Sequence, residues 1–327
     1  MRRREFLGAL CAIIALPRSA RAQQDKKIYR IGLLSGSSML GALDERSKSL
    51  TAGLAQRGFA EGRNLVIEQR WADGRIERLA ALAAELQADN VDVIVTYGYP
   101  AALAAKMSAN KTQTVISGAG DPVATGLVDG LARPGGYLTG VTEISTELSA
   151  KRLELLKEAV PRLDVVAMLW NAADLGMTLR YRAAEDAARV LGVKVQTLGV
   201  REPNDFEEAF AAMTRQRPDA ILMVSDALTV LNRKRVVEFA AVHRLPTIFE
   251  SASMVREGGL MSYGPSQSAI GDRVAELVAH ILHGSRAADL PLELPTRFEF
   301  FINLKTAKVL DLAIPPTLVA RADEVIE

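Results

Sequence analysis

Short apolar runs of three to seven residues alternate along most of the chain with longer stretches in which apolar positions recur every three or four residues. The first pattern predicts a strand buried on both faces, the second a helix with one apolar stripe. Residues 29–34 read as a strand and 47–56 as a helix stopped by Gly58; strand 65–69 then precedes helix 76–87, and strand 91–96 precedes helix 100–107. Strand 114–117 ends just before Asp121-Pro122. After a helix at 148–160 the same grammar restarts: strand 165–170, helix 179–191, strand 194–200, helix 206–215, strand 220–224, helix 229–243 and strand 247–249. Strands separated by helices imply parallel, doubly wound sheets.

Aligning the strand ends pairs Ser35 with Asn171, Arg70 with Val200, Tyr97 with Ser225 and Ser117 with Glu250, offsets between 128 and 136 residues. The pattern repeats although the residues do not. Two similar α/β lobes are therefore expected. Strand 260–263, helix 270–283 and strand 297–302 are too little for a third lobe and must complete the first two. The expected division is 23–143 plus 262–292 for the first lobe and 144–261 plus 293–327 for the second. Three segments crossing between the lobes would form a hinge.

The first 22 residues, MRRREFLGALCAIIALPRSARA, stand outside this grammar. Their apolar middle is shorter than the roughly 20 residues of a membrane-spanning helix. An arginine-led head, a short hydrophobic run and Ala20-Arg21-Ala22 make a secretory signal, with cleavage expected after Ala22. The arginine pair followed by Phe6 and Leu7 resembles a twin-arginine export signal, which places the mature chain in the periplasm. Removal of this segment leaves 35 basic and 38 acidic residues and takes away Cys11, the one cysteine. The slightly acidic remainder gives no electrostatic support for nucleic-acid binding. Stability must come from packed cores without disulfides.

In open parallel sheets, ligands sit beyond the carboxyl ends of strands. The candidates there are Ser35, Ser37, Tyr97, Gly98, Tyr99, Pro100 and Asp121 from the first half, with Asn171, Ser225, Asp226 and Glu250 from the second. These loops hold hydroxyls, amides and carboxylates and no lysine, arginine or histidine, which argues against a phosphorylated ligand. A small zwitterion fits: serines and helix N-terminal amides for a carboxylate, Asp121, Asp226 or Glu250 for an ammonium, and Tyr97, Tyr99 or Trp170 as flat walls. Sugars also use carboxylates and aromatic faces. Any single one of these residues serves equally well as a helix cap, and Asp121-Pro122 has the form of one; Trp170 and Tyr97 serve equally well as core.

Enzyme signatures are weak. Gly118-Ala119-Gly120 begins a dinucleotide-like pattern, but Val123 stands where its third glycine belongs. His280 and His283 lie three apart on a helix without an evident third ligand, and His243 ends another helix. No nucleophile and base pair stands out, so no catalytic residue, cofactor or metal is expected.

The stretches EGRNLVIEQRWADGRIERLAALAAEL, GDPVATGLVDGLARPGG, ELSAKRLELLKEAVP, GGLMSYGP and INLKTAKVLDLAIPPTLVARADEVIE resemble the family of ABC-transporter substrate-binding proteins that includes tryptophan-binding members. The resemblance spans about residues 28–327. It implies a type I periplasmic binding-protein fold, two Rossmann-like lobes that close on a small molecule and deliver it to a membrane permease, with a monomer as the expected state. The cleft positions it implies are 35–37, 98–100, Asp121, Asn171, Asp226 and Glu250. Tyr99 departs from the small residue that relatives often carry there, so the ligand is not transferable. The expected function is thus that of a receptor for a small polar molecule, an amino acid, with aromatic ones among the candidates. Alternatives are a sugar receptor of the same fold and an exported enzyme using carboxylates such as Asp121 and Glu250. A transcription regulator of this fold would need a DNA-binding segment where the export signal stands.

Overall fold

The computed structural model describes residues 27–38, 45–108, 111–143 and 145–327, so the expected export signal at residues 1–22 lies outside the described residues. Two sheets form. The first holds β1 (Tyr29–Ser35), β2 (Leu65–Trp71), β3 (Val93–Tyr97), β4 (Gln113–Ser117), β5 (Leu138–Val141) and, far along the chain, β11 (Leu292–Glu293). The second holds β6 (Val165–Asn171), β7 (Lys194–Val200), β8 (Ala220–Met223), β9 (Thr247–Phe249), β10 (Met261–Pro265), β12 (Phe298–Asn303) and β13 (Glu324–Ile326). Their strand orders are β2-β1-β3-β4-β5-β11 and β7-β6-β8-β9-β10-β12-β13. The first five strands of each thus follow one order, and the repeat seen in the hydropathy pattern is a repeat of topology.

Alternation along each strand feeds two cores. Ile31, Leu33, Val93, Val95 and Val115 face Leu50, Leu54 and Val274 on helices Glu45–Gln56 and Gln267–Leu282. Leu34 and Ile94 face the opposite way, onto Leu79, Leu82 and Leu86 of helix Leu79–Ala88. In the second lobe Val166, Met168 and Trp170 turn to one face, and Ala167 and Leu169 to the other. Apolar residues on both faces of every central strand are what a doubly wound sheet requires.

The sheets differ from expectation at the short strands β5, β11 and β13, at the extent of β10 and in the direction of β12. Strand β5 was not read from the sequence: it has four residues, and Gly140 sits at φ 145° where a Cβ would fall 2.2 Å from the Ile116 carbonyl oxygen. The stretch 260–263 is Met261–Pro265, wholly within the second sheet, so the boundary at 262 falls inside a strand and the chain crosses back after Pro265. Finally, β12 runs antiparallel to β10, with Phe298 opposite Pro265. The physical reason is the route: β10 ends at the hinge, and β12 enters the second lobe from that same hinge, so it must run away from it.

Three crossings therefore join the lobes, beginning at 142–143, at 266 and at 294–297. They are bonded to the structure around them and to one another. Thr142 N donates to the Glu293 carbonyl at 2.8 Å, Ser266 N donates to the Arg297 carbonyl at 2.9 Å, and the Thr142 hydroxyl donates to the Gly120 carbonyl. Among the described residues no helix is long and apolar enough to cross a membrane.

Candidate functional site

The carboxyl ends of the two sheets face each other across a cavity of about 590 Å³. At its rim the lobes touch: a Cβ placed on Gly36 would lie 3.3 Å from the Cβ of Ala227, and one on Gly176 would lie 3.7 Å from the Cβ of Tyr99. The cavity is enclosed between halves of the chain that each bring different chemistry.

The first lobe supplies an aromatic wall. Trp71 at the end of β2 and Tyr97 at the end of β3 lie with ring centroids 6.5 Å apart, and Tyr99, Pro100 and Ile76 continue the surface. Gly98 makes this possible with φ 83°, a left-handed conformation that turns the chain sharply from β3 into helix Tyr99–Met107. Ser35 Oγ accepts from Ser37 N at 3.1 Å, whereas Ser37 Oγ is buried without a partner. Tyr97 is held by Ser47, whose hydroxyl lies 3.1 Å from the phenol oxygen.

The second lobe supplies acids. Asp174 begins helix Leu175–Leu191 and its Oδ1 accepts from Gly176 N at 2.7 Å and Met177 N at 3.3 Å, the ordinary work of an N-cap. Asp226 begins helix Ala227–Leu231; its Oδ1 accepts from Thr229 N at 2.9 Å and its Oδ2 from the Asn171 amide at 2.5 Å. Both carboxylates line the cavity. Burial, reinforced by the neighbouring Asp226 charge, raises Asp174 to about 6, against the partial relief of its cap hydrogen bonds. Burial likewise raises Asp226 in spite of the hydrogen bonds it accepts. Two carboxylates crowded out of water favour a cation between them.

Beneath the cavity runs a ladder of buried charges. Arg46 Nη2 donates to Glu143 Oε1 at 2.8 Å; Arg180 Nη2 donates to Glu143 Oε2 at 2.6 Å; Arg180 Nη1 donates to Glu250 Oε2 at 2.9 Å; and Arg152 Nη1 donates to Glu250 Oε1 at 3.0 Å. Arg46 also donates through Nη1 to the Ser117 carbonyl at 2.8 Å and through Nε to Gln267 Oε1 at 2.8 Å. The ladder thus starts in the first lobe, passes through Glu143 on the first crossing, and ends in the second lobe. Arg152 closes it by donating from Nε to the Tyr263 carbonyl at 2.7 Å.

Of the eleven candidate residues, Ser35, Ser37, Tyr97, Gly98, Tyr99, Pro100, Ser225, Asp226 and Glu250 line the cavity. Asp121 and Asn171 are not among its lining residues. Asp121 Oδ1 accepts from Val123 N and Ala124 N, so it caps a turn, and Asn171 supports Asp226 from behind. Trp170 is core: it stacks on Tyr181 at 3.8 Å. His283 packs against Phe59 and His280 lies near Glu276, both away from the cavity. The strand-end loops carry no cation, but Arg46, Lys48, Arg180, Arg233 and Arg256 line the cavity from helices. One signal for them was present. Arg180 interrupts the apolar stripe Met177–Tyr181–Ala184, where an unpaired charge would be costly.

A two-lobed α/β chain with its polar cavity between the lobes is a type I periplasmic binding-protein fold, and it defines a class of ligand-binding proteins. The family model for the ABC transporter substrate binding protein matches residues 37–326, and the chain belongs to that family. A tyrosine-binding protein of Clostridioides difficile is 25% identical over 272 residues, 83% of this chain and 78% of that protein. The crystal structure of an ABC domain in complex with L-Trp from Streptococcus pneumonia is 25% identical, with a TM-score of 0.85 over 92% of this chain and 100% of that one. A ligand-free, open substrate-binding protein from Clostridium difficile shares the fold at 24% identity, with a TM-score of 0.65 over 91% of this chain and 99% of that one.

Proposed function

We propose that this protein is the extracytoplasmic receptor of an ABC importer and carries an amino acid with an aromatic side chain in its cleft. The observation that carries the reading is the pairing of Asp174 and Asp226, two buried carboxylates on one wall, with Trp71, Tyr97 and Tyr99 on the other. An ammonium relieves the repulsion of the acids, and a flat side chain buries its faces against the aromatic wall. The paired aspartates and the aromatic wall come from different lobes. Binding therefore stabilises the closed arrangement by the contacts that only closure makes.

The relatives support this reading, since one is named a tyrosine-binding protein and another was crystallised with L-Trp. Delivery to a membrane permease, residence in the periplasm and action as a monomer complete the proposal, in keeping with the arginine-led leader and the family. Such a receptor returns its ligand unchanged, whereas an exported enzyme of the same fold would turn it over.

Calorimetry with tyrosine, tryptophan, phenylalanine and a panel of neutral sugars tests the reading. Saturable binding of an aromatic amino acid, weakened in Asp174→Asn, is the expected result. Binding of sugars alone, or chemical alteration of a bound amino acid, would overturn it.

A further inference from the structure

Arg180 is the most buried of the cations that line the cavity. It lies on the buried stripe of helix Leu175–Leu191 with Met177, Tyr181 and Ala184, and its side chain is only 3% exposed. Two of its five N–H groups are engaged, one on Glu143 and one on Glu250. Its Nε is buried with no partner. A buried guanidinium with donors to spare, on the wall of a binding cavity, is incomplete without an acceptor.

The surrounding charges say what kind of acceptor. The ladder of Arg46, Glu143, Arg180, Glu250 and Arg152 holds three cations against two carboxylates, and none of the five side chains is more than 13% exposed. Its excess is positive. Asp174 caps the very helix that carries Arg180, both residues line the cavity, and each influences the titration of the other. An α-amino acid carries its ammonium and carboxylate one carbon apart and matches that juxtaposition.

We propose that Arg180 is a ligand-positioning residue that receives the carboxylate of the bound amino acid on its unengaged N–H groups, while Asp174 and Asp226 receive the ammonium. The inference rests on the amino-acid reading above. It replaces serine hydroxyls with a guanidinium as the principal carboxylate anchor, and it ties that anchor to Glu143 on the crossing between the lobes.

The test is deletion of the ligand's carboxylate in two proteins. Calorimetry compares tyrosine with tyramine, and tryptophan with tryptamine, in the wild type and in Arg180→Lys. In the wild type, loss of the carboxylate should weaken binding by at least about 30-fold, the effect of a charge-assisted hydrogen bond. In Arg180→Lys that advantage should shrink to within about 5-fold, since a merely structural lesion would weaken acid and amine alike and leave their ratio unchanged. An equal advantage in both proteins would overturn the inference and leave the amino-acid reading standing. Failure of every amino acid to bind the wild type would overturn both. Should the variant not fold, a crystal structure of the wild-type complex decides: a carboxylate oxygen within 3.2 Å of an Arg180 nitrogen is the expected geometry, and a carboxylate held only by serines and backbone N–H groups would refute it.

Discussion

Arg180 Nη2 donates to Glu143 Oε2 at 2.6 Å, and this bond joins a helix of the second lobe to the first segment that crosses between the lobes. Glu143 is also bonded to Arg46 from the first lobe, so a single carboxylate is shared by two guanidiniums from opposite sides of the hinge. Burial opposes its ionisation, yet the Arg180 and Arg46 charges and their hydrogen bonds hold it at about 2.

Glu143→Gln should therefore destabilise the protein by about 3 kcal/mol at neutral pH, the scale of breaking a buried pair from one side. The pH dependence has a definite sign. A carboxyl held below its ordinary value of 4.5 contributes stability above that value and loses it as pH falls towards about 2. Denaturant titrations of the wild type should show this loss on acidification below about 4.5, and the variant should show a flatter profile. Equal slopes would remove Glu143 from the ladder's energetics.

Asp174 works in the opposite sense. Its carboxyl is raised from 3.8 to about 6, so the folded protein binds that proton more tightly than the unfolded chain and loses stability as pH rises from about 4 through 6. Asp174→Asn keeps the cap, since asparagine serves as well at that position, and removes the buried charge. Ligand-free thermal stability above pH 6 should rise, while affinity for an amino acid should fall by at least tenfold. In the wild type, affinity should itself climb between pH 5 and 7. Calorimetry across that range checks the climb, and a flat profile would mean that Asp174 does not meet the ammonium.

The chain has two tryptophans in unlike places, Trp71 on the cavity wall and Trp170 stacked on Tyr181 in the core. Fluorescence should change on addition of tyrosine through Trp71 alone. Trp71→Phe should abolish the change and Trp170→Phe should keep it. The reverse outcome would place the ligand elsewhere.

Closure has its own probe in Gly36, where an added Cβ would lie 3.3 Å from that of Ala227 across the rim. Gly36→Leu should hold the lobes apart. Scattering with saturating amino acid should then retain the larger radius of gyration of the ligand-free protein, with ligand-free stability changed by no more than about 0.5 kcal/mol.

These experiments concern side chains that hydropathy did not all reveal, and the division has a physical cause. The fold was legible because runs such as Ile31–Leu34 and Val166–Trp170 are apolar on both faces, which only a doubly wound sheet buries. Strand β5 escaped because four residues around Gly140 carry no period to read. At the site, Asp121 and Asp174 look alike in sequence, each an acid poised before a turn. Both act as caps, but Asp174 also lines the cavity between the lobes whereas Asp121 does not. Arg180 carries no such signal because it stands within a helix and not at a strand end, and the helix that Asp174 caps brings it to the cavity wall less than two turns later.

The most direct measurement is mass spectrometry of whatever small molecule leaves the protein when it is purified from its own cells and gently unfolded. An intact aromatic amino acid, in a ratio approaching one per chain, is the expected result. A sugar, a phosphorylated compound or a chemically altered product in its place would contradict a receptor that clasps an amino acid between its acidic and aromatic walls.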